Sequence, residues 1–224
     1  MRTLRRAAVI GSGVMGSQIA AHLAGSGISC LLLDIVPDTL LPEEEAAGWT
    51  KEHPSVRNRL AVQAVERLKK ARPPVLYDPR FAERITPGNL EDDLHRLSET
   101  DWMIEAVVED PDVKKRVLRT IESVWKPGIV VSTNTSGISI RDMTADAGEP
   151  FRRHFLGTHF FNPPRHMKLL EIVPGEHTDP QIVEFMADFC ERRLGKGVVV
   201  AKDTPNFIAN RIGIFVFLTT IREM

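Results

Sequence analysis

The sequence predicts an α/β protein built on a doubly wound, largely parallel sheet, and three observations carry that expectation. Short apolar runs alternate with amphipathic stretches of helical spacing, a pattern that places parallel strands in one sheet with helices on its faces. A glycine-rich turn, Gly-Ser-Gly-Val-Met-Gly at 11–16, separates the first apolar run from the first helical stretch. The second apolar run ends on an acid, Asp34.

The elements follow in order. Residues 7–10 (Ala-Ala-Val-Ile) read as a strand, and Ile19, Ala20, Leu23 and Ala24 recur at helical spacing after the glycine turn. Gly25-Ser-Gly27 stops that helix, and residues 30–34 (Cys-Leu-Leu-Leu-Asp) form the second strand, so the chain opens with a β-α-β unit. Between 37 and 54 the composition shifts to Glu, Gly and Pro, which predicts a mobile insertion, and a charged helical pattern resumes over 56–71. A third apolar run at 102–108, an amphipathic helix at 113–124, and a fourth run at 129–132 after the Pro127-Gly128 turn continue the alternation. Further strands are expected at 155–161, 169–173 and 197–201, with a helix at 180–194. Thr204-Pro205 reads as a helix start, a capping hydroxyl followed by proline at the first helical position. Met224 follows Ile221-Arg-Glu with no glycine or proline stop, so the natural protein is expected to continue. The expected division is a nucleotide-binding domain over 1–203, with an insertion at about 37–87, and the start of a second, helical domain over 204–224.

Composition excludes several classes. Over 224 residues, 42% are hydrophobic and 26% charged, as in ordinary globular proteins, and a net charge of -1 supplies no field for nucleic acid. The apolar run behind Arg2, Arg5 and Arg6 is spent by Gly11, too short for a signal-peptide core, which points to a cytoplasmic protein. The run at 212–221 is about half the length that crosses a bilayer and holds Thr219 and Thr220, so a buried helix is expected and no membrane partner. Cys30 and Cys190 have no metal-ligand spacing with each other or with a histidine; both are expected free and buried, and no metal is implied.

The glycine turn gains weight from its setting between a strand and a helix. Gly11 permits the tight turn, Gly13 lets the backbone approach a pyrophosphate, Gly16 allows close helix packing, and Val14 and Met15 open the helix whose amides face the phosphates. Asp34 would accept bonds from ribose hydroxyls, and its charge repels a 2′-phosphate. No arginine follows it, so NAD is favoured over NADP, with FAD as an alternative. This is the arrangement of a Rossmann-type fold.

Downstream, residues 132–137 (Ser-Thr-Asn-Thr-Ser-Gly) form a polar cluster at the carboxyl end of a strand, where open α/β sheets place ligands; Asn134 and Ser136 are the candidates there. Taken alone, such a cluster is more often a turn with a helix cap than a site. His159 opens His-Phe-Phe-Asn-Pro-Pro at a strand end, and Glu171 returns twelve positions later on the next apolar run. An imidazole oriented by a carboxylate can take and return a proton near neutral pH. His22, His53, His95, His154, His166 and His177 read as satisfied core or surface groups.

Six collinear stretches resemble the NAD-binding portion of the L-3-hydroxyacyl-CoA dehydrogenases of fatty-acid β-oxidation. They are 11–16, Ile-Glu-Ala-Val-Val-Glu at 104–109 with Lys114 shortly after, Asn-Thr-Ser at 134–136, His-Phe-Phe-Asn-Pro at 159–163, Met-Lys-Leu-Leu-Glu at 167–171, and Phe-Ile-Ala-Asn-Arg at 207–211. The resemblance implies that His159 is the general base for the 3-hydroxyl and that Glu171 holds its tautomer. It implies that Ser136 and Asn210 hydrogen-bond the substrate oxygen with Asn162 supporting them, and that Glu109, Lys114 and Asn134 line the ribose and nicotinamide end of NAD. It further implies an acyl-CoA substrate, a helical second domain that closes over it, and a homodimer formed through that domain. Asn206 stands where the family often has glycine, and the loop between Ser136 and His159 is about two residues longer than in the short enzymes. Both features resemble longer bacterial members that carry an enoyl-CoA hydratase-like region. Over 37–87 the match is poor; there the family has a helical arm that contacts CoA, and Arg57, Arg59, Arg67, Lys69, Lys70 and Arg72 are either its phosphate contacts or a solvated face. The competing functions are a relative that oxidises free hydroxy acids and a non-catalytic structural paralogue. The residues at 212–218 would expose apolar surface without the helical domain, giving weak turnover and self-association.

Overall fold

The computed structural model describes residues 3–223. In chain order its elements are β1 (Arg6–Ile10), α1 (Val14–Gly25), β2 (Ser29–Asp34), α2 (Pro42–Ala46), α3 (Pro54–Arg57), α4 (Arg59–Lys70), β3 (Ile85–Asn89), β4 (Trp102–Glu105), α5 (Pro111–Val124), β5 (Val130–Thr133), α6 (Ile140–Met143), α7 (Glu149–Arg152), β6 (Phe155–Phe160), β7 (Leu169–Pro174), α8 (Pro180–Leu194), β8 (Gly197–Val200) and α9 (Ala209–Arg222). The strands form one sheet in the order β3-β2-β1-β4-β5-β6-β7-β8. Every neighbouring pair is parallel except β6 with β7. The expected Rossmann-type, doubly wound α/β class is the one observed. Strand order reverses between β1 and β4, which opens a crevice at their carboxyl ends.

Alternation along the strands sends side chains to two cores. Ala7 and Val9 of β1 join a cluster with α1, α4 and α8, whereas Ala8 and Ile10 join one with α5, α6 and α7. Both faces are therefore covered, as a parallel sheet requires. The helices start where local chemistry allows: Asp110 caps α5 by accepting from the Val113 amide at 2.9 Å, Asp179 caps α8 through Gln181, and Gly195 ends α8 at φ +66°.

Several expectations change. The segment 37–87 is no separate arm: α4 buries Ala61, Ala64, Val65 and Leu68 against the core and is the crossover helix between β2 and β3. The stretch expected to be mobile is tied to α4, because buried Arg59 ion-pairs with buried Glu44 and also donates to the Thr39 carbonyl at 2.9 Å. Arg57 is likewise committed to Glu91 and Asp92, and Lys69 to Glu66. Strand β3 escaped notice because Ile-Thr-Pro-Gly-Asn lacks an apolar run; as the sheet's edge it tolerates Pro87. Finally, α9 begins at Ala209 and not at Thr204. Asn206 and Phe207 have φ of +64° and +47°, left-handed values that cannot start a right-handed helix. Asn tolerates that conformation much as glycine does, which accounts for Asn206 at a family glycine position.

The run at 212–221 reads as a helix buried in a complete helical domain and exposed without one. In the structure α9 has no buried residue, and Phe215 and Phe217 are 70% and 64% exposed, since no described element covers that face. Among the described residues no helix is long and apolar enough to cross a membrane.

His22 is deeply buried on α1, where its Nε2 donates to the Leu194 carbonyl at 3.1 Å and its Nδ1 has no partner. Burial, with the nearby Lys196 and Arg165 charges, lowers its pKa to about 4 against the opposing Leu194 bond. The ring is thus neutral when folded but protonates near pH 6.5 when unfolded, so its contribution is complete above pH 6.5 and is lost as pH falls toward 4. Between pH 7 and 4 the protein should lose about 3 kcal/mol more stability than a His22→Leu variant. Urea denaturation at both pH values reads the difference, and equal losses would show that His22 does not titrate this way.

Candidate active site

The carboxyl ends of β1, β2 and β4 surround a cleft of about 280 Å³ lined by Gly11, Gly13, Asp34, Ile35 and Val107, among others. Gly11 holds φ +101° with the Ala106 carbonyl 2.6 Å from where a Cβ would sit, and a Cβ on Gly16 would lie 1.9 Å from the Gly11 carbonyl oxygen. A Cβ on Gly13 meets nothing within 4 Å, so that face of the turn is open to a ligand. Val14 is 64% exposed at the start of α1, and Met15 is partly buried beside the core. Asp34 accepts from the Ser12 amide at 2.7 Å, from the Ser12 hydroxyl, and from the Ile35 amide at 2.8 Å, which fixes its carboxylate at the rim.

The two glycines separate folding from binding. Gly16→Ala should lose both stability and NAD binding, because helix and turn cannot approach. Gly13→Ala should leave the melting temperature unchanged and raise the Kd for NAD about tenfold or more, since its methyl intrudes only where the pyrophosphate approaches. Thermal unfolding and NADH fluorescence titration separate the two; an unstable Gly13→Ala, or one that binds normally, would overturn the assignment.

Beside this cleft lies a buried ionic knot that the sequence reading assigned only in part. Glu105, at the end of β4 and 0% exposed, accepts from Lys114 Nζ at 2.8 and 3.1 Å, from Thr133 Oγ1 at 2.6 Å and from the Val107 amide at 2.7 Å. Lys114 is 1% exposed and also lies 3.3 Å from Glu109. Lys114 therefore stands behind Glu109 and away from the cleft surface. Glu109 accepts from Thr135 Oγ1 at 2.6 Å, the Ser136 amide at 2.8 Å and the Ser136 hydroxyl at 3.1 Å. Burial works against its ionisation, but the Thr135 and Ser136 bonds and the Lys114 charge outweigh it and hold the carboxyl below its ordinary range. Glu105 was missed as a site residue; an acid closing a buried apolar run, nine residues before a lysine, was the signal.

The second half of the site hangs on β6 and β7. His159 and Glu171 are direct partners in the antiparallel register, which puts their side chains on one face of the sheet. Nδ1 of His159 lies 2.7 Å from Glu171 Oε2, and both residues are buried. The other oxygen, Oε1, accepts from the Ile208 and Ala209 amides at 3.0 and 2.8 Å, at the entry to α9. Phe161 and Phe207 flank the imidazole with ring centroids at 4.4 and 5.8 Å. Asn210 follows on α9, and its Nδ2 donates to the Ser136 carbonyl at 3.2 Å, while Asn134 Oδ1 accepts from the Phe160 amide at 2.9 Å. Hydrogen bonds thus join Asn134, Ser136, His159, Glu171 and Asn210 into one neighbourhood. Asn162 is exposed beyond the end of β6 and is not tied into that network. Lys196, also outside the earlier reading, is buried where it donates to Pro164 and Met167 carbonyls and so clamps the β6–β7 connection.

The family model for the 3-hydroxyacyl-CoA dehydrogenase NAD-binding domain matches residues 6–204. The chain belongs to this family. Relatives of the NAD-binding domain include a probable 3-hydroxyacyl-CoA dehydrogenase of Bacillus subtilis, 56% identical over 99% of this chain and 28% of its own length. A protein of the same description from Deinococcus radiodurans is 46% identical over 99% of this chain and 60% of its own. Among solved structures, FadB2 of M. tuberculosis superposes with a TM-score of 0.74 at 30% identity, covering 99% of this chain and 72% of that one. Escherichia coli 3-hydroxybutyryl-CoA dehydrogenase also gives 0.74 at 30%, over 95% and 41%. The chain spans between about a quarter and three fifths of the length of the two bacterial relatives. NAD is the family's cofactor, and the open face at Gly13, the cleft and the rim carboxylate of Asp34 fit it.

Proposed function

We propose that this NAD-binding domain serves an enzyme that oxidises L-3-hydroxyacyl-CoA to 3-ketoacyl-CoA, with His159 as the base. The observation that carries the reading is the His159–Glu171 contact of 2.7 Å at the end of a sheet whose neighbouring strands form a dinucleotide cleft. Ionised Glu171 only accepts, so it calls for a hydrogen on Nδ1 and leaves Nε2 as the free base. Glu171 itself is held by the Ile208 and Ala209 amides, so the tautomer is set by backbone as well as by charge. Nε2 would take the 3-hydroxyl proton, and the resulting imidazolium would be stabilised by the carboxylate beside it. Ser136 and Asn210 would bind the substrate oxygen, with Asn162 in support. NAD, when bound, supplies the acceptor for the C3 hydrogen and its electron pair. Glu109, drawn onto the Ser136 loop and backed by Lys114, would set the position of Ser136 beside the nicotinamide end, and Asn134 would hold β5 to β6.

The experiment compares NADH oxidation with acetoacetyl-CoA and with free acetoacetate in the protein that carries this chain. A strong preference for the thioester is expected; equal rates would favour a free hydroxy acid, and no turnover with bound NADH would favour a non-catalytic role.

A further inference from the structure

A second cavity, of about 230 Å³, opens between α6, α7 and the turn that follows β7. It shares no lining residue with the dinucleotide cleft. Phe155 at its wall begins β6, and His159 lies four residues further along that strand, roughly 13 Å away at strand rise. The cavity is therefore separate from the proposed chemistry.

Two arginines, Arg141 and Arg152, stand among its polar lining. Arg152 borders it with Nε fully buried and without a protein partner. Its neighbours differ: Arg141, also in the lining, pairs with Asp142 at 3.3 Å, and Arg153 pairs with Asp179 at 3.1 Å. Among the described residues Arg152 joins no ion pair, nor does Glu176, the acid at the cavity edge. The two threonine hydroxyls in the wall have already spent their hydrogens, Thr144 on the Ile140 carbonyl at 2.9 Å and Thr178 on the Phe155 carbonyl at 2.6 Å. The side-chain donors left to a guest are guanidinium N–H groups and the exposed ring of His177.

A fixed fork of N–H donors carrying positive charge matches the oxygens of a tetrahedral or planar oxyanion, and such charge-assisted bonds are the strong ones. The volume admits a phosphate-sized anion with some water. We infer that the chain carries a second ligand site, a small-oxyanion site in which Arg152, with Arg141 beside it, binds a phosphate-sized anion apart from the dinucleotide cleft. This inference does not depend on which substrate the enzyme turns over.

Inorganic phosphate is the probe. Calorimetric titration is carried out on NAD-saturated protein, so that the glycine turn cannot supply the binding, with chloride at matched ionic strength as the control. One saturable phosphate event is expected, absent in Arg152→Leu and weakened about tenfold in Arg152→Lys, which keeps the charge but not the fork. Because Arg152→Leu also disturbs a packed region, crystals soaked in selenate provide a second measurement; an anomalous peak within hydrogen-bond distance of the Arg152 guanidinium is expected. Phosphate binding that survives in Arg152→Leu, heat that follows ionic strength alone, or a soaked cavity holding only water with Glu176 turned onto Arg152 would each overturn the inference. Absent NAD binding in the starting protein would instead count against the cofactor reading and leave the Arg152 comparison intact.

Discussion

His159→Gln should lower turnover of acetoacetyl-CoA by about 10²- to 10⁴-fold while the Kd for NAD changes less than about twofold. A glutamine amide can still donate to Glu171 and fills much of the same space between Phe161 and Phe207, yet it has no basic atom to take the hydroxyl proton. The cofactor cleft is lined by the ends of β1 and β2, the turns after β1, β3 and β4, and α5, and His159 is not among its lining residues, so NAD should still bind. Steady-state kinetics with a parallel NADH titration reads both numbers. Retained turnover would remove His159 from the chemistry, and a lost cofactor site would make its role structural.

Lys114→Met should destabilise the fold by about 3–5 kcal/mol, because it leaves the Glu105 carboxylate buried without its cation. A second change, Glu105→Leu in the Lys114→Met background, should restore only part of the loss. It removes the uncompensated charge but strands the Thr133 hydroxyl and the Val107 amide, both of which donate to Glu105. Urea denaturation of the wild type and the single and double variants completes the test. A cost below about 1 kcal/mol for Lys114→Met would mean that the pair is far more solvated than its burial indicates. Lys114→Met should also loosen the Ser136 loop, since Glu109 loses the cation behind it.

Much of the fold was legible because periodicity records burial. Strands β1, β2, β4, β5 and β6 are covered on both faces, so each carries an apolar stretch that stands out from its surroundings. Edge strand β3 is buried through Ile85, Gly88 and Asn89, only one of them a large apolar residue, and contains Pro87, so it leaves no such record. The short helices α6 and α7, four residues each, are too brief for a helical period to show. At α9 a local rule misled: Thr204-Pro205 has the chemistry of a helix start, but the left-handed turn at Asn206 and Phe207 is imposed by Phe207 packing into the core and by Glu171 drawing in the Ile208 and Ala209 amides.

The candidate site shows the same division. The glycine turn, Asp34, and the proposed residues at 134–136, 159 and 171 could be picked out from residue type and position along the chain. Glu105 left only a faint mark, an acid closing an apolar run nine residues before a lysine, because its side chain acquires meaning only when Lys114, Thr133 and the Val107 amide converge on it from three different segments. Lys196 was hidden for the same reason, its ammonium spent on carbonyls about thirty residues earlier.

By itself the sequence determined the alternation of strand and helix, the dinucleotide turn and the identity of the polar groups near it, since these depend on local backbone freedom and on which residues are apolar. The tertiary structure alone decided the rest: the antiparallel register that sets His159 against Glu171, the burial of Glu105 with Lys114, the φ values that delay α9, and the cavity where Arg152 is left unpaired. Contacts between distant segments arise from register and packing, and hydrophobic periodicity records that a residue is buried without recording what it is buried against.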